Sequence, residues 1–180
     1  GSVSAELLAR AGIGRLILID RDIVELSNLQ RQSLYYERDI GKPKALAAME
    51  RLSKINSGIK IDFFIEDLNS ENINELMPIT KNTNKEKNNN KNTIDIILDC
   101  TDNLETRFLI NDFSVKNKIP FVYSSAVGSK GYVFDAIPNK NNPCLRCFLK
   151  EAAQLDTCET SGVLNSITHL VSSVQSSEAI

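Results

Sequence analysis

Polar and charged side chains gather in short stretches of this sequence, each at or just after an apolar run. Asp20 ends the run "RLILID", and the stretch "SNLQRQ" at 27–32 follows soon after it. The stretch "DCTDN" at 99–103 ends another apolar run. Arginine and lysine hold polyphosphates, the first as a planar fork and the second as a point charge, and carboxylates suit a hard cation such as Mg²⁺. The residue types therefore predict a site for a nucleotide and its metal ion.

The order of apolar patterns indicates which elements carry these side chains. Helical spacing marks 4–11, 42–56, 70–77, 103–117 and a stretch after residue 162, and strand patterns mark 15–20, 59–65, 93–100, 120–126 and 131–138. Strands that alternate with helices predict an α/β fold, a Rossmann-like and mostly parallel sheet with helices on both faces. The last strand pattern alternates apolar and polar residues and predicts a short antiparallel edge. We expect Ser70 to cap the helix that it begins.

In such a sheet, ligands bind beyond the carboxyl ends of the strands, with phosphates at the amino end of the first helix. Gly1 leads into that helix, and Asp20 follows at about the separation at which an acid meets the ribose hydroxyls in a dinucleotide fold. Each candidate also has a plainer interpretation. Asp20 could be an exposed strand end, Arg31 and Lys44 solvated charges, and Asp102 a helix cap. Their occurrence together at consecutive strand ends favours the nucleotide site.

Four segments in this order, "AGIGRLILIDRDIVELSNLQRQ", "GKPK", "LDCTDN" and "PCLRC", resemble the MoeB/ThiF/HesA family of adenylating enzymes, relatives of the ubiquitin-activating enzymes. The resemblance covers nearly the whole chain. It implies ATP-dependent adenylation of the C-terminal carboxylate of a ubiquitin-like β-grasp sulfur carrier of the MoaD/ThiS type, with release of pyrophosphate. The acyl-adenylate would serve molybdopterin, thiamine or tRNA thiolation pathways, or protein conjugation. The resemblance also implies a homodimer.

The resemblance implies a role for each matching position. Asp20 would bind the ribose, and Asp102 would be the Mg²⁺ ligand. Arg31, Lys44 and the metal ion would stabilise the negative charge that gathers at the α-phosphorus. Gly1 would be the last glycine of the family's GxGGxG loop. The nucleotide-binding positions are Gly1, Asp20, Ser27, Asn28, Leu29, Gln30, Arg31, Lys44, Asp102 and Asn103. We expect no general base, because a carboxylate is already ionised at neutral pH.

The cysteines offer a second chemistry. Cys144 and Cys147 flank a tight turn that suits two thiolates on one Zn²⁺, which predicts a zinc-knuckle loop, although a redox pair is an alternative. The family has a second such pair downstream; a set of Cys144, Cys147, Cys158 and His169 is the other possibility within this chain. By position, Cys158 matches the cysteine that some relatives use to form a thioester or persulfide. We predict it as a nucleophile, with a plain loop residue as the alternative.

Three further residues receive plain interpretations. Cys100 is expected to pack as a small hydrophobic side chain. His169 is expected to be a partly buried surface residue. Arg107 could contact the carboxyl tail of the partner, but we favour an ion pair at the surface.

Composition excludes several classes of protein. The chain has 180 residues, with 21 Lys plus Arg against 23 Asp plus Glu, so no overall basic field predicts binding to nucleic acid or to an anionic membrane. No apolar run approaches the ~20 residues of a membrane span. The 4 cysteines are too sparse for a disulfide framework and favour a reducing, cytoplasmic setting. The Asn- and Lys-rich segment 78–93 is predicted to be a disordered insertion.

The sequence is interpreted as a single ThiF-type adenylation domain, 1–180, truncated at both ends, since it opens without Met and closes within a helical pattern. Two other classes of protein compete with this interpretation. A nicotinamide dehydrogenase would explain Gly1 and Asp20 but gives no role to "SNLQR", Lys44 or the cysteine pair. A non-catalytic scaffold or pseudo-subunit of a heterodimeric activating enzyme remains the alternative to the enzyme.

Overall fold

The computed structural model describes residues 1–79, 93–139, 141–149 and 162–180. The described helices are α1 (Ser2–Ala11), α2 (Lys44–Ile55), α3 (Ile73–Leu76), α4 (Leu104–Asn117), α5 (Leu145–Phe148) and α6 (Asn165–Glu178). The strands are β1 (Arg15–Ile19), β2 (Lys60–Phe64), β3 (Ile97–Asp99), β4 (Phe121–Val127) and β5 (Lys130–Ala136). None of the described helices is long and apolar enough to span a membrane.

The strands form two sheet sections. β1 pairs with β2 in parallel, and β3 pairs with β4 in parallel. β5 runs antiparallel to β4, with Phe121 opposite Ala136. The predicted α/β order and the predicted antiparallel edge are confirmed. Within the described residues, no hydrogen-bonded strand pair joins the two sections, so other contacts must hold them together.

Each section has its own apolar core. Ala9 of α1, Leu52 of α2 and the buried loop residues Val24 and Leu34 pack together with partly buried side chains of β1 and β2. The second core joins α3, α4, α5 and β3–β5, and its members are Ile73, Met77, Ile97, Ile110, Phe113, Ile119, Phe121, Tyr123, Ala136 and Leu145. Helices therefore cover the strands as the alternating pattern predicts.

Helix α6 packs against α1, β4 and β5, and so bridges the two sections. It lies very close to β5 at Gly131. A Cβ atom at that position would overlap a methyl group of Val171 and would lie 3.3 Å from a methyl group of Ile167. Only glycine lets the helix approach the strand this closely.

Two predicted boundaries are wrong. The helix predicted from Ser70 begins at Ile73 after Asn72, because the Asn69 side chain accepts from the amides of Glu71 and Asn72 and holds 69–72 as a turn. The strand predicted over 93–100 is limited to Ile97–Asp99. Its partner β4 begins only after Pro120, so residues before 97 have no parallel partner on that edge.

Candidate functional site

The loop between β1 and α2 folds back onto the end of β1. An isolated antiparallel bridge pairs Ile23 with Pro43. The amide of Lys44 donates to the Asp22 carbonyl at 2.8 Å. Lys44, the first residue of α2, therefore lies beside the carboxyl end of β1, as the nucleotide-site prediction requires.

Lys44 is 8% exposed. Its ammonium donates to Asp22 Oδ2 at 2.8 Å, and the Tyr35 hydroxyl donates to the Lys44 carbonyl at 3.3 Å. Burial and the nearby Asp20 carboxylate raise the pKa of Tyr35, so its hydroxyl remains a donor. A charge removed from water needs a partner, and here the partner is a carboxylate that is itself 54% exposed. The ammonium is thus buried but faces a group that solvent reaches.

Asp20 is half-buried at the end of β1. Burial raises the pKa of its carboxyl group; the Asp22 amide, which donates to Oδ1 at 2.9 Å, and the positive charge of Lys44 act in the opposite direction. Asp20 and Lys44 are therefore within electrostatic range of each other.

Some of the polar groups of residues 27–31 form hydrogen bonds within their own loop. Leu26–Asn28 form a 3₁₀ turn in which Asn28 Oδ1 accepts from the Glu25 amide at 3.1 Å. Asn28 is 7% exposed, so its amide shapes the loop. Arg31 Nη1 donates to the Ser27 carbonyl at 3.1 Å, and no carboxylate of the described residues pairs with its guanidinium. Leu29 is half-buried against the first core, while Ser27 and Gln30 are exposed.

The end of β3 is fixed from both sides. Asp99 is 0% exposed, and its Oδ1 accepts from the Thr101 amide and hydroxyl at 2.9 and 2.8 Å. Burial raises the pKa of Asp99, against the two Thr101 hydrogen bonds and the charge of Arg107. Arg107 Nη2 donates to the Thr101 carbonyl at 2.7 Å, and its guanidinium lies 5.2 Å from the centre of the Tyr123 ring. The prediction of a surface ion pair for Arg107 is wrong, since it is 8% exposed and braces this strand end.

Beyond that strand end, Asp102 is exposed. Asn103 caps α4 by accepting from the Thr106 amide at 2.8 Å, so Asp102 is not the helix cap. Gly1 lies beside the same end, because a Cβ atom on Gly1 would be 3.2 Å from the Cys100 Cβ. Cys100 is exposed there, which corrects the prediction that it packs as a small hydrophobic side chain.

The cysteine turn, residues 144–148, forms one turn of helix. The Sγ atoms of Cys144 and Cys147 are 3.8 Å apart. Two thiolates on one tetrahedral zinc ion, each at a Zn–S distance of about 2.3 Å, must keep a separation of about 3.8 Å. Burial raises the pKa of Cys144, but hydrogen bonds from the Cys147 and Arg146 amides outweigh it and lower the pKa overall.

Helix α4 holds this turn in place. Asn111, 1% exposed, accepts the Leu145 amide at 2.9 Å, and Arg146 makes a bidentate pair with Asp112 at 2.9 and 2.7 Å. The Arg146 guanidinium also lies 4.4 Å from the centre of the Phe108 ring. The donor set and the spacing fit half of a zinc site. Among the described residues, no third cysteine, histidine or carboxylate joins the pair, and this includes His169, which is half-buried as predicted and bonds within its own helix.

Comparison with known proteins decides the family. The model of the ThiF family matches residues 1–180. The chain belongs to the ThiF family. Curated relatives of this ThiF-family chain include the sulfur carrier protein ThiS adenylyltransferases of Bacillus subtilis, 41% identical, and of Escherichia coli, 33% identical, with all of this chain covered in both cases. The zebrafish protein "Adenylyltransferase and sulfurtransferase MOCS3" is 35% identical. The chain spans 50%, 66% and 37% of the lengths of these relatives.

Solved structures give the same fold. The crystal structure of E. coli MccB with ATP superposes with a TM-score of 0.78 at 21% identity, over 99% of this chain and 51% of MccB. The structure of PaaA superposes with a TM-score of 0.75 at 20% identity, over 99% of this chain and 51% of PaaA. The Rossmann-like architecture predicted from the sequence is confirmed for this ThiF-family chain.

The predicted site residues fall into three groups. Asp20 and Lys44 lie together at the end of β1, and Gly1 lies beside the end of β3. Arg31 and Asp102 lie in loops that follow these strand ends, and their roles stay predictions. Cys158 and most of the segment 78–93 lie outside the described residues of the ThiF-family chain.

Sequence reasoning missed several supporting residues. Asp22, which pairs with Lys44, carries a weak signal in the "DRD" spacing. Asn111 and Asp112 sit inside a helical pattern that gives no reason to connect them with cysteines more than thirty positions away. Gln175 of α6, which donates to the Asp99 carbonyl, carries no local signal at all.

Proposed function

We propose that this chain is the adenylation domain of an enzyme that activates the C-terminal carboxylate of a ubiquitin-like sulfur carrier protein with ATP. The observation that carries the proposal is the buried Lys44 ammonium at the carboxyl end of β1, within electrostatic range of Asp20. A buried cation, a carboxylate and a helix start at one sheet edge suit a nucleotide's phosphates and ribose. The names of the relatives support the adenylyl-transfer class.

The residues would divide the work by charge. Asp20 would accept from the ribose hydroxyls, and Lys44 would exchange its exposed carboxylate partner for a phosphate oxygen. Arg31, with its guanidinium free of carboxylates in the described part of the chain, would bind phosphate as a fork. The amides at the start of α1 would face the same anion.

The reaction forms one bond and breaks one. The carboxylate oxygen of the carrier attacks the α-phosphorus, the bond to the β-phosphate bridging oxygen breaks, and pyrophosphate leaves with the electron pair. The chain contributes alignment and positive charge, since no proton must be removed from an ionised carboxylate. Asp102 would hold Mg²⁺, which would offset negative charge on the phosphates when bound. A nicotinamide dehydrogenase, which transfers a hydride, would give no role to the buried Lys44 ammonium.

The finer assignments are proposals of the same kind. Cys144 and Cys147 would supply two thiolates to a structural zinc ion, held ready by Asn111 and Asp112. Cys158 would act after adenylation, as a nucleophile in a later transfer step. We also propose a homodimer, and a product that feeds molybdopterin, thiamine or tRNA thiolation or protein conjugation.

ATP–pyrophosphate exchange by the full-length protein tests the proposal. We expect exchange only when a β-grasp carrier with an intact C-terminus is present. Arg31→Ala and Asp102→Asn should abolish it while circular dichroism and the melting temperature stay unchanged, because both positions lie outside the cores. Arg38→Ala and Asp67→Asn, exposed residues of the same types, are the matched controls and should retain exchange.

A wild-type protein that binds ATP but shows no exchange with any carrier would support the scaffold alternative instead. A wild-type protein that binds no ATP would contradict the proposed adenylation, since only the scaffold role needs no nucleotide.

A further inference from the structure

Gln175 of α6 places a completely buried amide between two elements of the site. The residue is 0% exposed. Its Nε2 donates to the Asp99 carbonyl at 2.9 Å and to the Val122 carbonyl at 3.0 Å. Its Oε1 accepts from the Ser4 hydroxyl at 2.8 Å and from the Cys100 thiol at 3.5 Å. Both donors and both acceptor positions of the amide are thus in use.

These contacts fix the amide in one orientation. A backbone carbonyl can only accept, so the NH₂ group must face Asp99 and Val122, and the carbonyl oxygen is left for Ser4 and Cys100. No other side chain of similar length offers two donors and two acceptors in this arrangement. Glutamate lacks the donors, and methionine offers no donor and only a weakly accepting sulfur.

The partners of Gln175 belong to the two halves of the proposed nucleotide site. Ser4 lies in the first turn of α1, which begins after Gly1. Asp99 ends β3, Cys100 follows it, and the chain continues directly from there to Asp102. Within the described residues the two sheet sections share no strand pairing. A single side chain therefore ties the helix start that would face the phosphates to the loop that would hold the metal ion.

We propose that Gln175 is a positioning residue that sets the distance between the start of α1 and the Asp102 loop. This inference rests on the proposed adenylation, because the distance matters only if phosphates and their metal ion bind across it. Displacement of a catalytic group by about 1 Å can cost about 100-fold in rate. Gln175 itself touches no reacting atom and contributes no charge.

The test compares three variants of the full-length protein. Gln175→Met keeps the side-chain length, removes both donated hydrogen bonds and leaves only a weakly accepting sulfur for Ser4 and Cys100. Ser114→Ala is the stability control: Ser114 is 0% exposed and donates to the Ile119 carbonyl at 2.6 Å, in the α4–β4 connection away from the site. Ser176→Ala is the positional control, since Ser176 is 3% exposed on the same helix and donates only to the Ser172 carbonyl of that helix.

We expect Gln175→Met to lower kcat of carrier-dependent exchange by about 100-fold at a temperature where it remains folded, with a smaller change in KM for ATP. Ser114→Ala and Ser176→Ala should lower the melting temperature but retain kcat. Retention of wild-type kcat in Gln175→Met would overturn the inference, and so would an equal loss in Ser114→Ala. Should Gln175→Met not fold, Ser4→Ala severs only the α1 contact and should lower kcat in the same direction; wild-type kcat in that variant would overturn the inference.

A second readout separates this inference from the proposed function. Mg²⁺ should increase the affinity of the wild-type protein for ATP, and this increase should be lost in Gln175→Met but kept in both controls. If the wild type shows no exchange yet shows this pattern, the proposed adenylation fails and the positioning role stands. If Gln175→Met keeps the full Mg²⁺ effect, the positioning role fails whatever the activity.

Discussion

The Lys44 ammonium and the cysteine turn are held by different kinds of partner. Lys44 is buried, yet its carboxylate partner Asp22 is 54% exposed, so under the proposed function a phosphate would displace it. The cysteine turn is held by Asn111, which is 1% exposed and bonds the Leu145 amide directly. The first region has its charge in place and its partner exchangeable, whereas the second is shaped by the protein alone. A substrate-binding site requires a partner that can be exchanged, as proposed for Lys44. A structural metal site requires a fixed geometry, as proposed for the cysteine turn.

The largest expected effect is on the exchangeable side of this comparison. Lys44→Met should lower ATP–pyrophosphate exchange by about 100-fold or more, the cost of losing one preorganised electrostatic contact in a transition state. Steady-state exchange kinetics at saturating ATP would measure it. Lys54→Met, an exposed lysine near the end of the same helix, should be unaffected. Equal losses in the two variants would show that the buried ammonium has no special role.

On the other side, Asn111→Ala should destabilise the fold by about 1–3 kcal/mol, because the Leu145 amide is left buried without an acceptor. Chemical denaturation would measure the free energy of unfolding. Asn117→Ala, which removes a side-chain contact to the Phe113 carbonyl within the same helix, is the control and should cost less. A smaller effect at Asn111 than at Asn117 would mean that α4 does not hold the turn.

A pH series on Asp20→Asn sharpens the comparison further. Burial raises the pKa of Asp20 above its ordinary 3.8, so the ionised carboxylate is less favourable in the folded chain than in the unfolded chain. This penalty is present above the raised pKa and disappears as the pH falls through it towards 3.8.

Asparagine keeps the acceptor for the Asp22 amide and has no ionised form. Asp20→Asn should therefore raise the melting temperature slightly at pH 7 and lose this advantage in acid, while its affinity for ATP falls. A gain in stability that persists unchanged at low pH would contradict this explanation.

The smallest expected effect is at Cys158. Cys158→Ala should leave exchange unchanged and alter only a later transfer step, since adenylation needs no thiol. Exchange and carrier thiocarboxylate formation would be measured side by side. Loss of exchange would show that Cys158 takes part in adenylation and that its assignment to the later step is wrong.

The sequence predicted the elements because each depends on local pattern. Apolar periodicity located β1, α2, α4 and the antiparallel β5, and the motifs led to Asp20, Lys44 and the cysteine pair. Errors arose where a distant partner decided the outcome. β3 is shorter than its apolar run because β4 begins only after Pro120, and Arg107 is buried because Thr101 and Tyr123 lie beside it.

The supporting contacts of the site could not be predicted for a related reason. Gln175 bonds to Asp99 across 76 positions, and Asn111 bonds to Leu145 across 34. Neither residue differs from its neighbours in any pattern that a single sequence displays. Only the folded structure shows that the Gln175 amide of α6 donates to the carbonyl of Asp99, at the end of the strand that leads to Asp102.

Helix α6 approaches β5 so closely at Gly131 that the strand tolerates no added side chain at this position. Val171, which lies over that glycine, stands one helical turn before Gln175 and on the same side of the helix. Any side chain added at Gly131 would push the helix outward and pull the amide away from the partners that it bridges. A substitution at Gly131 of β5 would therefore weaken the proposed reaction by displacing Gln175, although Gly131 itself contacts no ligand.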